Sequence, residues 1–394
     1  MSASLPADGL RVLVVTVVHD PEDARIRHRQ LLSLLDAGCT VTYAAPFTAY
    51  HRTPPPGVRP LDLPRAVGRR RLAALRAATA LLRREAPRHD VVLVHDPELL
   101  AAVAGARATR SAAVVWDVHE DTAAALSMKT WLPGPARRVL PAAVRAAERA
   151  AERHLHLTLA ETGYADRFRR PHPVVPNSVL VPLDDVPPPG ADRVVYLGRV
   201  TRARGGLELV ALGRELAGEV EVEVVGPADG DVRDALRAAH EAGHVRWRGF
   251  VPNDEALAGL AGALAGLSLL HDEPNYAHSR PTKLMEYMAH GLPVVTTPNR
   301  AAVELVEAAG AGLVVPFEDV PAAAAAVRAL RDDAGRRRAL ATAGRRYALE
   351  ELDWRRDGRR LAEQLRVWAD TRRGGSPSDV SRSARPDGRA HEGS

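Results

Sequence analysis

Pro281-Thr282-Lys283-Leu284-Met285-Glu286-Tyr287-Met288-Ala289-His290-Gly291-Leu292-Pro293-Val294-Val295-Thr296-Thr297 reads as a helix that stops at a glycine and runs directly into a buried strand. Pro281 suits the first helical position, where its missing N–H would have no partner anyway. Met285, Met288, Ala289 and Leu292 recur at helical spacing and form an apolar stripe. Gly291 can take the left-handed cap, and the β-branched Val294 and Val295 continue as a short strand. Glu286 lies off the stripe, near the helix start; a carboxylate so placed can face a cleft and accept hydrogen bonds from a sugar diol. The free N–H groups and positive dipole end of the same helix suit a phosphate. One short element therefore offers grips for both a ribose and a pyrophosphate. An ordinary amphipathic helix with a solvated Glu286 is the plainer alternative.

Lys283-Leu284-Met285-Glu286-Tyr287-Met288-Ala289, with Gly291, Pro293, Val294 and Val295, also carries a resemblance. Position by position it is similar to the K-L-x-E-Y-M-A-x-G-x-P-V-V donor segment of GT-B glycosyltransferases, most closely the retaining family 4. The resemblance implies an α/β fold of GT-B type: two Rossmann-like domains facing across a cleft, with a C-terminal helix crossing back to the first domain. It implies transfer of a sugar from a nucleotide-diphosphate sugar to a glycan, lipid or small-molecule acceptor, with retention at the anomeric carbon. Thr282, Lys283, Leu284 and Glu286 then fall on the donor, Glu286 on its ribose.

The loop before this helix departs from the family. Many members carry two glutamates in the pattern E-x7-E. Counting back from Glu286 puts the first at 278, where this chain has His278. The donor sugar is then met by His278, Ser279 or loop N–H groups, and the donor's identity stays open. A metal set from His271, Asp272, Glu273 and His278 matches no tight ligand spacing, so no metal and no other cofactor is expected.

Further upstream, Arg193–Leu197 reads as the first strand of a new Rossmann-like unit, and Gly198-Arg199-Val200-Thr201-Arg202-Ala203-Arg204-Gly205-Gly206-Leu207 as its turn into a helix. Glycines permit close backbone approach to an anion, and the helix start and two cations favour it. The family has Gly-Arg here with a Lys-Gly five residues on. This chain keeps Gly198 and Arg199 but has Arg204 in the lysine's place, which retains charge as a planar fork. A surface turn with arginines is the alternative. Val220–Val225, Val245–Val251 and Gly266–Leu270 read as strands, and the family's nucleobase position falls on Phe250 and Val251. Helices are expected over 301–309, 321–330 and 336–349.

In the first half, the continuous apolar run Arg11–Val18 is a buried strand. A helix over Arg25–Ala37, closed by Gly38, and a strand over Thr40–Ala45 complete a βαβ start. No G-x-G-x-x-G follows the first strand, which argues against a dinucleotide site there. The pattern His19-Asp20-x-x-Asp23-x-Arg25-Ile26 resembles the family's acceptor-side loop, and a helix-capping loop explains it equally. Val91–Val94 ends in His95-Asp96-Pro97, and Ala113–Val118 ends in His119-Glu120. Polar residues at the carboxyl ends of parallel strands mark ligand positions in open α/β sheets. Asp117-x-His119-Glu120 resembles the family segment whose histidine sits beside the reacting centre, which implies that role for His119; a strand-end histidine paired with a nearby carboxylate is the alternative. The resemblance thus gives His119, Arg199, Arg204 and Glu286 as catalytic, with His19, Asp23, Asp96 and His119 on the acceptor side.

Arg69–Glu85 reads as a basic amphipathic helix with Leu72, Leu75, Thr79 and Leu82 on one face. Its arginines suit either an anionic membrane surface or plain solvation. Lys129, Trp131 and Arg137-Arg138 form a second basic and aromatic patch. Val144–His154 is a charged helix and Leu155–Ala160 a strand. Val174-Val175-Pro176-Asn177-Ser178-Val179 resembles the family's hinge. Boundaries follow: an N-terminal domain over 1–176, a nucleotide-sugar domain over 177–349, a crossover helix over 350–370 and a disordered tail over 371–394, where apolar residues nearly vanish.

Composition agrees. The 394 residues suggest two domains, and 46% hydrophobic residues with few aromatics suit small-residue helix–sheet contacts. The lone Cys39 excludes an internal disulfide and suits a reducing cytoplasm, with peripheral contact at the inner membrane face through the basic helices. The net charge of +5 is scattered, without the aromatic-interleaved stripe of a nucleic-acid binder. Two rivals remain: a non-hydrolysing nucleotide-sugar 2-epimerase of the same architecture, and a non-catalytic nucleotide-sugar binding protein.

Overall fold

The computed structural model describes residues 9–120, 122–123, 134–273, 276 and 281–374, the side chains of 134–138 excepted. The patch at Lys129, Trp131 and Arg137-Arg138, the residues His278 and Ser279, and the tail from 375 lie outside what is described. The chain divides into two compact units. The first comprises the chain up to Asn177 together with the residues from Arg355 onward; the second is Ser178–Trp354.

The first unit is built on six parallel strands: β1 (Arg11–Val15), β2 (Thr40–Ala45), β3 (Arg59–Asp62), β4 (Val91–Val94), β5 (Ala113–Val118) and β6 (His156–Leu159). Their order is β3-β2-β1-β4-β5-β6. Val12 to Val15 and Val91 to Val94 have almost no exposure, as strands covered on both faces must. The order reverses between β1 and β4, so the loops leaving these two strands open a crevice at their carboxyl ends.

The stretch after β1 differs from the expected single helix over Arg25–Ala37. Its first part, Ile26–Leu31, is wound as a π-helix, and only Leu32–Asp36 is α-helical. The wide turn closes with Gln30 N–H donating to the Arg25 carbonyl (2.9 Å). Both side chains flanking that bond reach the same buried carboxylate, described below.

The helix Arg71–Glu85 also turns a different face inward. Ala74, Ala78, Leu81, Leu82 and Glu85 are buried, whereas Leu72 is 66% exposed. Alanines let the helix Leu99–Ala106 approach closely; a Cβ on Gly105 would stand 3.4 Å from the Thr79 methyl. Glu85 goes inside because Arg59 and Arg84 reach it, at 3.1 and 2.8 Å.

The last helix, Trp354–Arg372, belongs to the first unit from Arg355 on. Trp368 stacks on His156 at 4.6 Å, Arg372 donates to the Thr109 carbonyl, and Arg373 joins Arg11 on Asp90.

The second unit repeats the plan. Its strands β7 (Arg193–Leu197), β8 (Glu221–Val225), β9 (Arg246–Gly249), β10 (Ala265–Ser268), β11 (Val294–Thr296) and β12 (Gly312–Val314) are parallel in the order β12-β11-β10-β7-β8-β9. The order reverses between β7 and β10. The helix Thr282–Ala289 starts one residue later than expected, with Pro281 as its extended cap, and Gly291 takes φ +69° after it. Tyr287 fastens this helix to the reversal point. The Leu197 N–H donates to its hydroxyl (2.8 Å), which donates to the Leu267 carbonyl (3.1 Å). Its ring lies on Gly266, where a Cβ would come within 2.1 Å. Among the described residues, no helix is long and apolar enough to cross a membrane.

Candidate active site

In the second unit the turn after β7 carries the glycines that its path demands. Gly198 has φ +114° and Gly205 φ +78°. A Cβ on Gly205 would meet the Leu269 carbonyl at 2.2 Å, so this turn is pressed against the loop leaving β10. The Tyr196 hydroxyl donates to the Arg199 carbonyl (2.9 Å) and pins the turn from below.

The cations of this turn fall into two groups. Arg199 is exposed and forks onto Asp229, with Nε and Nη2 donating at 2.7 and 2.9 Å. Arg202 pairs with Asp231. Arg204 is half-buried and makes no ion pair among the described residues. It lies near Lys283, whose Nζ sits 3.6 Å over the Tyr196 ring and, though buried, has no hydrogen-bond partner among the described residues. Burial first, and then the charge of Arg204, hold the Lys283 ammonium well below the usual lysine range, with Glu286 opposing them. Glu286 is half-buried on the same helix, and Leu284 is buried against the core. Lys283, Glu286 and Arg204 therefore share one neighbourhood at the sheet's reversal point, while Arg199 is engaged elsewhere on the turn.

Phe250 is 77% exposed at the end of β9, and Val251 packs on the core behind it. His271 does not gather Asp272 and Glu273. It stands between Glu208 (3.1 Å) and Glu318 (3.5 Å), and Glu318 holds φ +55°, unusual for a residue with a side chain. Glu208 and Glu318 were not legible as partners, because the three lie on separate loops and helices far apart in sequence.

In the first unit, three histidines and two aspartates line the crevice between β1 and β4. Asp96 is buried and acts as a clasp. It accepts from Thr16 Oγ1 (3.0 Å) and from the Val17 and Val18 N–H groups, and His19 Nε2 lies 3.2 Å from its Oδ1. Burial pushes its carboxyl up despite the opposing charge of His19. Asp117, wholly buried, is the larger hub: Arg25 forks onto it at 2.7 and 2.8 Å, and Gln30 (3.0 Å) and Thr158 (2.8 Å) donate as well. Burial would raise its carboxyl, but Arg25 outweighs that and holds it well below the carboxylate range.

His119 depends on this hub. Its Nδ1 lies 3.0 Å from the Asp117 carbonyl and 3.4 Å from the carboxylate. Both are acceptors, so Nδ1 carries the proton and Nε2 presents a lone pair. Burial disfavours its imidazolium, yet Asp117 more than compensates and raises its pKa. His19 Nε2 lies 3.1 Å from that lone pair. His95 is buried behind them, its Nε2 on Gln30 Oε1 (2.6 Å); burial, against the pull of Asp117, lowers its pKa to about 3 and keeps it neutral. Asp23 serves its own loop, accepting from the Arg25 and Ile26 N–H groups at 2.9 and 3.0 Å. The crevice thus brings together His19, Asp96 and His119. It adds Arg25, Gln30, His95 and Asp117, whose signal was the Asp-x-His spacing and the polar residues ending each strand.

Comparison with known proteins bears on the fold. Residues 191–333, most of the second unit, match the family model of glycosyl transferases, group 1. The chain is similar in structure to sucrose-phosphate synthase from Thermosynechococcus elongatus, with a TM-score of 0.69 at 16% identity, covering 91% of this chain and 98% of that one. The Anabaena protein HepE, solved in complex with UDP, gives 0.64 at 14% identity, covering 91% and 99%. Over 81 residues the chain is 42% identical to a GDP-mannose-dependent α-(1-6)-phosphatidylinositol monomannoside mannosyltransferase from Mycolicibacterium smegmatis. That match spans 21% of each protein. The family model covers the second unit alone, and the likeness to these solved structures gives the chain the two-sheet fold of the GT-B type.

Proposed function

We propose that this protein transfers a sugar from a nucleoside-diphosphate sugar to a hydroxyl acceptor with retention of anomeric configuration. The second unit holds the donor. Lys283 and Arg204 neutralise the diphosphate as it leaves, the helix start at Thr282 adds its dipole, and Glu286 accepts from the ribose hydroxyls. Gly198 and Phe250 border the same site, and Arg199 joins when the diphosphate draws it from Asp229. The charge is carried by side chains, so the reaction requires no metal. The first unit supplies His119, whose Nε2 accepts a hydrogen bond from a substrate hydroxyl, with His19, Asp23 and Asp96 shaping its surroundings. In this chemistry the departing phosphate takes the acceptor's proton.

One observation carries the reading: a buried lysine amino group has no hydrogen-bond partner among the described residues and stands beside a second cation at the reversal point of the sheet. An anion there would restore the charged form of Lys283. The short match to the mannosyltransferase supports GDP-mannose as the first donor to try, and the UDP complex of HepE supports a uridine donor as the second. Calorimetry with GDP and UDP tests the site. Lys283→Ala and Glu286→Ala should each weaken the better ligand about tenfold or more, the loss of one charge-assisted contact of about 1.5–3 kcal/mol. Unchanged affinity in both variants would place the nucleotide elsewhere.

A further inference from the structure

The imidazoles of His19 and His119 meet in an unusual way. Their Nε2 atoms lie 3.1 Å apart, and their ring centres are 4.8 Å apart with the planes tilted by 49°. His119 Nδ1 is fixed as a donor by Asp117, so its Nε2 is a lone pair. His19 Nε2 therefore carries the hydrogen that joins the two rings. It lies 3.2 Å from Asp96 Oδ1 as well. A carboxylate oxygen of the exposed Glu120 lies within 4.8 Å of both imidazole ligand atoms.

We propose that His19, His119 and Glu120 form a binding site for a divalent ion of the zinc class. Two nitrogens, each about 2.0–2.1 Å from a tetrahedral zinc, stand about 3.3 Å apart, close to the separation found here. Two imidazoles and one carboxylate suit a borderline ion rather than magnesium or calcium, and they leave a fourth position open. The surroundings match those of histidine ligands. Each ring has a carboxylate behind its Nδ1: Asp117 at 3.4 Å for His119 and Asp23 at 4.0 Å for His19. Asp117 is itself immobilised by Arg25, Gln30 and Thr158, so one of the two rings is set before any ion arrives. Binding needs no net proton loss. The hydrogen on His19 moves from Nε2 to Nδ1, toward Asp23, and both Nε2 lone pairs then face the ion. An ion held there occupies the Nε2 assigned above to a substrate hydroxyl, so it inhibits transfer rather than assisting it.

The test is calorimetry of the full-length protein with zinc chloride alone, without nucleotide, and with circular dichroism to verify folding of each variant. One zinc per chain is expected, with His19→Ala and His119→Ala each weakening it about tenfold or more. The other cluster of this kind among the described residues, Glu208, His271 and Glu318, provides the control, and His271→Ala should leave the affinity unchanged. No saturable binding below about 1 mM zinc would overturn the proposal. So would binding that survives both first-unit substitutions or disappears with His271→Ala. Because no substrate is present, this result stands apart from the nucleotide titration that tests the donor site.

Discussion

At the scale of single residues, the chemistry of the first unit rests on one carboxylate. Asp117 has no exposure, yet it satisfies a guanidinium, an amide, a hydroxyl and an imidazole. Removing its charge leaves Arg25 buried at 4% exposure without its counterion. Breaking one partner of such a pair typically costs about 3–5 kcal/mol. Asp117→Asn should therefore lower the unfolding free energy by about that much in chemical denaturation, and a loss below about 1 kcal/mol would mean Arg25 finds another partner. Asp117 was visible only as the first residue of an Asp-x-His pattern. Its four donors come from Arg25, Gln30, His119 and Thr158, which no local spacing unites. Lys283 shows the same limit. Its place in the helix Thr282–Ala289 was legible, but its setting, over the Tyr196 ring and beside the charge of Arg204, was not.

At the scale of elements, strand positions followed from composition almost everywhere, because runs such as Val91–Val94 have no other low-energy place than a covered sheet. Helix faces were less legible. Arg71–Glu85 was read by its large apolar residues, whereas the packed face uses Ala74 and Ala78 and admits Glu85. Close helix–helix approach selected small side chains, and paired arginines allowed a buried acid. The π-helical stretch at Ile26–Leu31 was not foreseen, since its cause is a distant carboxylate. The helix Thr282–Ala289 was read to within one residue because propensity, cap and strand signal agree locally. Its seating is tighter than any of those signals suggested: Tyr287 fills the space left by Gly266. Gly266→Ala should place a methyl inside that ring and cost about 1–3 kcal/mol or more, the usual penalty of overpacking. A melting temperature equal to the parent's would show that the helix can shift without cost.

At the scale of the whole molecule, two units repeat one strand order, and each gathers its polar residues where that order reverses. The first unit is closed by the end of the chain. Asp90 takes Arg11 from β1 and Arg373 from beyond the last helix. Burial alone would raise its carboxyl, but the two arginines lower it to about 2 from a reference of 3.8. A group depressed in the folded state adds stability above its unfolded value and loses it as pH falls through the folded one. Both arginines are more than half exposed, so the contribution is discounted to about 1–2 kcal/mol. Asp90→Asn should be less stable than the parent by that amount at pH 7, with the gap closing between about pH 4 and pH 2. A gap independent of pH over that range would mean that packing, not charge, ties the last helix down.

The sequence by itself determined most of the strands, though not β3 in its proline-rich stretch, and also the helix Thr282–Ala289, the glycine-rich turn and the family they resemble, because each is encoded by neighbours a few residues apart. Tertiary structure decided which charges pair and which are left over. It bound Arg199 to Asp229, set Lys283 beside Arg204 with no hydrogen-bond partner among the described residues, and set His19 against His119. Pairing of this kind joins residues tens to more than a hundred positions apart, and electrostatic energy depends on distance in space, which spacing along a chain does not record.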